Sequence, residues 1–390
     1  MLKWLMLAVF IVLLLYTMWH LHLALDVAKS ERWILWAVLC VVPILCGLTI
    51  IVGHFLPVNA FQRLVIQFSN YYLAFWIYQV FFLALLDIYR VFRYFVLKKR
   101  NFAFHMHTFV VIIALSLCFT AYGGVHARDI RVNTQNVTVY KSVEGLSEMK
   151  IVLVSDWHLG YSIGTKDMEK MVTTINQQNA DLVVIAGDIY DNQYDAIDNP
   201  EKIAKILKGI KSKYGVYGVY GNHDVTETLV GGFTIATKRT PIRDSRIDQM
   251  LQEANITMLE DQTVNINHQI QLVGRLDGEK TGHATGTRKS LEEVLQATNQ
   301  KLPIFVINHE PENLNQYSKQ GVDLVLSGHT HAGQFFPLTI TRSLVWSNYW
   351  GLETKGNTTG AVTSGIGVYG PPIRVMSNSE VMVLNIQFHR

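Results

Sequence analysis

Residues 149–158 read MKIVLVSDWH, an apolar run that ends abruptly in Asp156 and His158. A short, continuous apolar run is consistent with a strand that is buried on both faces. Two similar runs follow, DLVVIAGD at 181–188 and GVYGVYGNHD at 215–224, and a helix-like segment precedes each. Strands that alternate with helices predict a βαβαβ unit, in which parallel strands are flanked by helices.

Polar side chains gather where these apolar runs end. Further runs predict strands at 270–277, 303–310 and 322–331, and residues 360–387 form a strand-rich tail. Ligands of α/β sheets bind beyond the carboxyl ends of the strands. Five of the eight histidines that follow Met149 fall at such ends. The candidate site residues at these ends are Asp156, His158, Asp188, Asn222, His223, Asp224, His309, His329 and His331.

The types of these residues indicate metal chemistry. Carboxylate and amide oxygens together with imidazole nitrogens suit Mn, Fe or Zn ions. Without His223 and Asp224 the set offers seven donors. One ion takes only about four to six donors, so seven suit two divalent ions that share Asp188. Such a pair can clamp phosphate oxygens and lower the pKa of a bound water, which predicts hydrolysis of a phosphate ester.

The remaining residues of the set have more than one possible role. His223 follows the ligand candidate Asn222 and could act as general acid toward the leaving group, or it could only position phosphate. Asp224 could orient His223 or hold the turn. His329 and His331 are two residues apart, and this spacing predicts that both lie on one strand face.

Glycines precede three of the ligand candidates, at Gly187, Gly221 and Gly328. A glycine in such a place permits close approach of the backbone to a ligand.

Five motif blocks in this region resemble those of the calcineurin-like metallophosphoesterases, in order and in spacing. They are DWH at 156–158, GDIYD at 187–191, GNHD at 221–224, NHEP at 308–311 and SGHTHAGQ at 327–334. The resemblance covers Met149 to about Ile386. The tail, with SGIG at 364–367 and PPIR at 371–374, is similar to the bacterial membrane-associated branch of YaeI/YkuE type.

The resemblance implies a two-sheet β-sandwich flanked by helices, with two metal sites. One ion would take Asp156, His158, Asp188 and His331. The other would take Asp188, Asn222, His309 and His329. His223 matches the catalytic histidine of the family.

The part of the chain before this region is typical of a membrane protein. Apolar runs at 4–25, 33–56, 64–86 and 102–122 are each close to the roughly 20 residues that span a bilayer. The first run lacks a small-residue cleavage site, which favours a retained anchor over a signal peptide. We expect a membrane domain of four transmembrane helices at 1–125, a connector at 126–148 and a metallophosphoesterase domain at 149–390.

Basic residues in the loops predict the orientation of these spans. The first and third loops together hold seven of them: Lys29, Arg32, Arg90, Arg93, Lys98, Lys99 and Arg100. Placing these two loops inside leaves two basic residues, Lys3 and Arg63, outside. Both termini, and with them the catalytic domain, are then extracytoplasmic, and the cell membrane is the expected location.

Composition excludes several other classes of protein. Hydrophobic residues make up 49% of the chain and charged residues 17%, so the chain is not disordered. Residues 126–390 contain 25 Lys and Arg against 28 Asp and Glu, a net charge of −3, so no nucleic-acid partner is expected. All three cysteines precede residue 126, which excludes a disulfide scaffold and a thiolate metal site from the rest.

We predict a membrane-anchored, dinuclear metal-dependent phosphoesterase that acts on a phosphodiester. The anchor raises the local concentration of lipids, which favours a lipid-linked substrate, and the oligomeric state stays open. The alternative is a non-catalytic membrane sensor or scaffold with a phosphoesterase-like domain, although such copies usually lose ligands and none is missing here. A transporter is disfavoured because no charged residue lies near the middle of a span.

Four aromatic residues after the last motif, Trp346, Tyr349, Trp350 and Tyr369, could line a substrate groove or lie in the core. Arg374 could bind phosphate or form a structural salt bridge. The segment 226–248 is longer than usual for the family and could form a lid.

Overall fold

A computed structural model describes residues 2–25, 33–98, 106–230, 233–235 and 240–389. The chain divides into a helical unit, built on the residues up to Val125, and a second unit that contains most of the remainder. Two short segments, Leu229–Ile235 and Gly370–Ile373, group with the helical unit.

The helical unit is built from α1 (Leu2–Leu25), α2 (Trp33–Val52), α3 (Ala60–Phe95) and α4 (Met106–His126). By length and composition, α1, α3 and α4 are each able to cross a membrane, whereas the apolar segment Leu39–Phe55 is shorter. A fourth span at 33–56 therefore stays a prediction. The predicted third span, 64–86, lies within α3, a helix of 36 residues that is about 54 Å long.

Several residues on which the predicted orientation and spans depend lie outside the described residues. This applies to Lys29, Arg32, Lys99 and Arg100, and to the start of the fourth predicted span at 102–105. The extracytoplasmic placement of the catalytic domain remains a prediction.

The second unit contains two six-stranded sheets. In spatial order, the first sheet contains β1 (Ile130–Val139), β14 (Ser379–Phe388), β2 (Glu148–Val154), β3 (Leu182–Ala186), β4 (Val216–Val219) and β7 (Ile256–Met258). The second contains β12 (Gly351–Lys355), β13 (Thr358–Val362), β11 (Leu324–Ser327), β10 (Ile304–Ile307), β9 (Ile270–Gly274) and β8 (Gln262–Ile266). A separate hairpin consists of β5 (Thr228–Val230) and β6 (Phe233–Ile235).

Within the described residues, six helices accompany these sheets: α5 (Thr165–Asn176), α6 (Pro200–Leu207), α7 (Ser245–Glu253), α8 (Leu291–Leu295), α9 (Leu314–Lys319) and α10 (Leu338–Val345). Strands β2, β3 and β4 pair in parallel, as the βαβαβ pattern predicts.

The apolar runs are explained by burial on both faces of a strand. Ile151 and Leu153 of β2 pack into the core between the two sheets, while Val152 and Val154 pack under the helices on the other face. Successive residues of a strand point to opposite faces, so a strand covered on both sides must be apolar throughout. The predicted two-sheet α/β fold, preceded by apolar helices, is confirmed.

Two predicted elements differ in extent. Within the connector, the stretch 137–141 has the sequence pattern of a strand; the strand there is β1, which is longer and pairs in parallel with β14 from Ile130 to Val139. Its sequence, IRVNTQNVTV, is mostly polar because much of this edge strand is exposed, so a search for apolar runs misses its first half. The helix-like segment before the third apolar run extends from 200 to 213 in the sequence, but helix α6 ends at Leu207, and Gly209 follows the cap residue Lys208.

Candidate metal centre

The ends of strands from both sheets bring the predicted ligands together. Asp156 and His158 follow β2, Asp188 follows β3 and Asn222 follows β4 in the first sheet. His309 follows β10, and both His329 and His331 follow β11 in the second sheet.

The inner cluster consists of Asp156, His158 and His331, whose ligand atoms all lie within 4.8 Å of one another. The two Nε2 atoms of His158 and His331 are 3.1 Å apart, and Nε2 of His331 is 3.5 Å from Oδ1 of Asp156. All three residues are buried.

The outer cluster consists of Asp188, His309 and His329, again within 4.8 Å. Nε2 of His309 lies 3.2 Å from Oδ2 of Asp188 and 3.3 Å from Nδ1 of His329. The side-chain oxygen of Asn222 lies 3.1 Å from both of these histidine nitrogens. The side chain of His329 is 22% exposed, so this cluster opens to solvent.

Asp188 lies between the two clusters. Its Oδ2 atom is 3.2 Å from Nε2 of His309 and 3.7 Å from Nε2 of His158. Its Oδ1 atom accepts a hydrogen bond of 2.9 Å from the backbone N–H of His223. One carboxylate is therefore within reach of both clusters.

The donor set of the outer cluster fits a cation. Nδ1 of His309 donates to the carbonyl of Ala186 at 2.6 Å, so the lone pair of a neutral ring is on Nε2. That lone pair meets the oxygens of Asn222 and Asp188, and three acceptors repel one another unless a positive charge lies between them. A divalent ion would supply that charge.

Without an ion, a proton on His309 takes this role. Burial alone would lower the pKa of His309, but the charges of Asp188 and Asp156 raise it well above its usual value. Burial alone would raise the pKa of Asp188, but His309 and His223 hold it well below its usual value.

Five of the ligand candidates have a left-handed backbone. The φ angles are 56° for Asp156, 49° for His158, 54° for Asp188, 71° for His329 and 48° for His331. Residues other than glycine rarely adopt this region, and each costs about 1–3 kcal/mol, so such strain concentrates at functional sites.

This backbone corrects one prediction. His329 and His331 do not lie on one strand face, because β11 ends at Ser327 and both residues follow it in tight turns. The turns send His331 to the inner cluster and His329 to the outer cluster.

Glycine is required where the loops cross. A Cβ atom at Gly221 would overlap Oδ1 and the backbone nitrogen of Asp188, and a Cβ atom at Gly187 would overlap the ring of His309. These two glycines therefore allow the loops that carry the ligand candidates to lie close together.

His223 lies against both clusters and is held by a chain of polar contacts. Its Nδ1 atom donates to the side-chain oxygen of Asn192 at 2.8 Å. The amide of Asn192 donates to the carbonyl of Val225 at 3.0 Å and to Glu227 at 3.4 Å, and Glu227 accepts from Lys280 at 2.6 Å.

The environment of His223 determines its tautomer and its charge. The bond to Asn192 places the ring proton on Nδ1 and leaves Nε2 for other partners. Burial lowers the pKa of His223 to about 3, so the ring is neutral at pH 7. The ring packs against Tyr369, with 4.4 Å between centroids.

Sequence reasoning missed Asn192. The only signal was its position directly after the GDIYD block, and its partners Glu227 and Lys280 are distant in sequence.

The structure distinguishes the two roles considered for Asp224. Its Oδ1 atom accepts from the N–H groups of Ile189 and Tyr190 at 2.8 and 3.0 Å, and its Oδ2 atom accepts from Gly221 at 2.7 Å. Asp224 therefore holds the loops together and positions the site.

Arg374 has neither of its predicted roles. The side chain is fully buried and donates to the carbonyls of Ser364 and Gly367 at 2.7 and 2.8 Å. It also donates to the carbonyl of His331 at 3.2 Å, and Nη2 lies 3.3 Å from Nδ1 of that ring. Burial lowers the pKa of Arg374 to about 10. Arg374 thus braces the turn that presents His331.

The aromatic residues after the last motif are divided between the site and the surface. The Trp346 ring lies 6.0 Å from the His329 ring, and Tyr369 packs on His223. Trp350 is 43% exposed, and its indole N–H donates to Glu380. The segment 226–248 forms the hairpin of β5 and β6 and the start of α7, and its residues 231–232 and 236–239 lie outside the described residues.

Similarity to known proteins agrees with this geometry. The profile of the calcineurin-like phosphoesterases matches residues 149–333. A zebrafish protein named transmembrane protein with metallophosphoesterase domain is 31% identical over 287 residues, which cover 70% of this chain and 61% of that protein. An uncharacterized metallophosphoesterase of Campylobacter jejuni is 30% identical over 243 residues, which cover 62% and 59%.

The uncharacterized metallophosphoesterase YkuE of Bacillus subtilis is 27% identical over 281 residues, which cover 69% of this chain and 91% of that protein. The chain spans about three fifths of the length of the zebrafish and Campylobacter relatives. The motifs, the sandwich fold and these similarities agree: residues 149–333 form a domain of the calcineurin-like phosphoesterase type.

Proposed function

We propose that this chain is a membrane-anchored, dinuclear metal-dependent phosphoesterase that hydrolyses a phosphodiester. The observation that supports this most directly is the position of Asp188, whose carboxylate is within 3.7 Å of a histidine nitrogen of each cluster. A carboxylate shared in this way is what two neighbouring cations need to offset their repulsion.

The residues present would hold the two ions as follows. Asp156, His158, Asp188 and His331 would hold one ion, and Asp188, Asn222, His309 and His329 the other. Mixed oxygen and nitrogen donors suit Mn, Fe or Zn. When bound, two such ions supply Lewis-acid stabilisation of phosphate oxygens and a nucleophile from water at neutral pH.

His223 is the proposed proton donor to the leaving-group oxygen. Asn192 holds the Nδ1 proton, so Nε2 is the ring atom that exchanges a proton with substrate. The ring is neutral before substrate binds, because burial lowers its pKa. A phosphate anion beside the ring raises that pKa and favours the protonated form.

The proposed substrate is a lipid-linked phosphodiester. The apolar helices of the chain support this proposal, because an enzyme held at a bilayer meets lipid phosphates at high local concentration. The loop charges support an extracytoplasmic catalytic domain.

The test is hydrolysis of bis-p-nitrophenyl phosphate by the full chain in detergent. The protein is stripped with a chelator and titrated with Mn²⁺. We expect metal-restored turnover in the wild type, and in the control Asp195→Asn, which makes the same chemical change at a carboxylate that is 64% exposed. We expect none in Asp188→Asn.

Full activity of Asp188→Asn would contradict the mechanism. No turnover in any metal, together with a metal content of zero per chain, would favour the non-catalytic scaffold.

A further inference from the structure

Helix α10 exposes an apolar surface. Its side chains are exposed by 51% at Leu338, 62% at Ile340, 83% at Leu344 and 67% at Val345. The surrounding stretch 335–350, FFPLTITRSLVWSNYW, contains one charged residue, Arg342. Contiguous apolar surface of this kind marks a site of contact with another apolar phase or partner.

The helix is fixed in place by its other contacts. Thr339 is buried, and Arg342 donates to the carbonyl of Ala332 at 2.8 Å. The Arg342 guanidinium also lies 4.5 Å above the Tyr349 ring, so the one charge of the stretch is turned inward. The outward surface of this ordered element therefore carries four aliphatic side chains together with the small polar side chains of Thr341 and Ser343.

This surface begins at the outer cluster. The Trp346 ring lies 6.0 Å from the ring of His329, the most exposed histidine of the two clusters. The hydroxyl of Thr330, between the two ligand histidines, donates to the carbonyl of Tyr349 at 2.6 Å. A surface that contacts α10 is thus next to the open side of the metal centre.

We propose that α10 lies in the lipid–water interface, with Ile340 and Leu344 among the acyl chains and Trp350 at the level of the headgroups. A helix with one aliphatic face and flanking tryptophans is typical of an interfacial element. The partner is lipid because the same chain has helices that are apolar enough to cross a bilayer, so a bilayer is always within its reach. This brings headgroup phosphates to the outer cluster.

The inference rests on the proposed membrane anchoring and not on turnover. The test uses the full chain in vesicles of phosphatidylcholine and phosphatidylglycerol. Cys40, Cys46 and Cys118 are replaced by alanine, and a nitroxide is attached at Leu344→Cys. Collision with oxygen, which concentrates in lipid, is compared with collision with a water-soluble nickel chelate. The control label is at Lys208→Cys, an exposed position after α6.

We expect the label at position 344 to collide at least several-fold more with oxygen than with nickel, and the label at 208 to show the reverse. An aqueous pattern at 344 would overturn the proposal. Shielding from both reagents would also overturn it, because that indicates a protein contact.

A second variant tests the apolar face itself. Ile340→Asp in the Leu344→Cys background should lose the preference for oxygen, because a carboxylate is costly among acyl chains. Lys208→Asp in the same background is the control and should keep it. A preference for oxygen that survives Ile340→Asp would overturn the proposal. If the label at position 344 lies in lipid but the protein shows no turnover, this inference stands. That result would contradict only the proposed phosphoesterase activity.

Discussion

The inner and outer clusters use the same kinds of side chain, but the protein surrounds them differently. The inner cluster is enclosed, with all three residues buried and the fixed cation Arg374 beside His331. The outer cluster is open at His329, whose Nε2 atom lies 4.0 Å from the carboxylate of Glu310. An enclosed site favours slow exchange of an ion, and an open site gives access to substrate.

The largest effect is expected where the two clusters meet. Asp188→Asn should lower turnover by at least about 10³-fold and reduce the metal content at both sites, because one carboxylate serves both ions. Metal analysis and kinetics of the purified variant measure this. A content of two ions per chain would show that the clusters are independent, with Asp195→Asn as the matched control.

His223 lies outside both clusters, and the residue that orients its ring, Asn192, can be tested separately. Asn192→Ala should slow hydrolysis of a diester with an alkyl leaving group by about 10- to 100-fold, because the proton donor loses its orientation. The effect on a p-nitrophenyl ester should be several-fold smaller, because p-nitrophenolate needs little protonation.

Asn192→Asp keeps an acceptor for the Nδ1 proton and should restore most of the alkyl activity. Equal losses on both substrates would indicate a general structural defect instead of a role in positioning His223.

Chelation should separate the clusters by their exposure. One ion per chain should leave at least about tenfold faster than the other, because ligands must become accessible before they release a metal. His329→Gln should remove the fast phase and leave the slow phase. A single rate for both ions would contradict the difference in enclosure.

The smallest expected effect concerns a property that the two clusters share, the pKa values of their histidines. Burial alone would lower the pKa of His158, but the carboxylates of Asp191 and Asp188, 3.8 and 3.7 Å from its ring nitrogens, raise that pKa above its usual value. The pKa of His309 is raised as well. Burial lowers the pKa of His329 to about 4 and also lowers the pKa of His331. Each cluster thus has one histidine whose pKa is raised and one whose pKa is lowered.

Each ion should therefore displace a proton from the histidine whose pKa is raised. Since a raised pKa means that a proton competes with the metal for the histidine nitrogen, the affinity for the metal should rise as the pH rises from about 6 to 8. Calorimetry in buffers of different ionisation enthalpy measures the proton count. Release of no protons at pH 7 would show that the apo clusters are already deprotonated.

Much of the fold follows from local pattern. The runs that became β2, β3, β10 and β11 are buried on both faces and are therefore visible as apolar letters. The first half of β1 is invisible by this criterion because an exposed edge strand is polar. The seven ligand candidates were found because strand ends of a parallel sheet meet at one edge.

The residue types of the metal centre, the apolar helices and the alternation of strands and helices can all be recognised in the amino-acid sequence. The division of the ligand candidates between the two clusters depends on tertiary contacts. His329 and His331 are two residues apart but serve different clusters, because left-handed turns rotate them apart. Asn192, Glu227 and Lys280 form one chain behind His223 through contacts between distant segments, and local pattern carries no trace of such contacts.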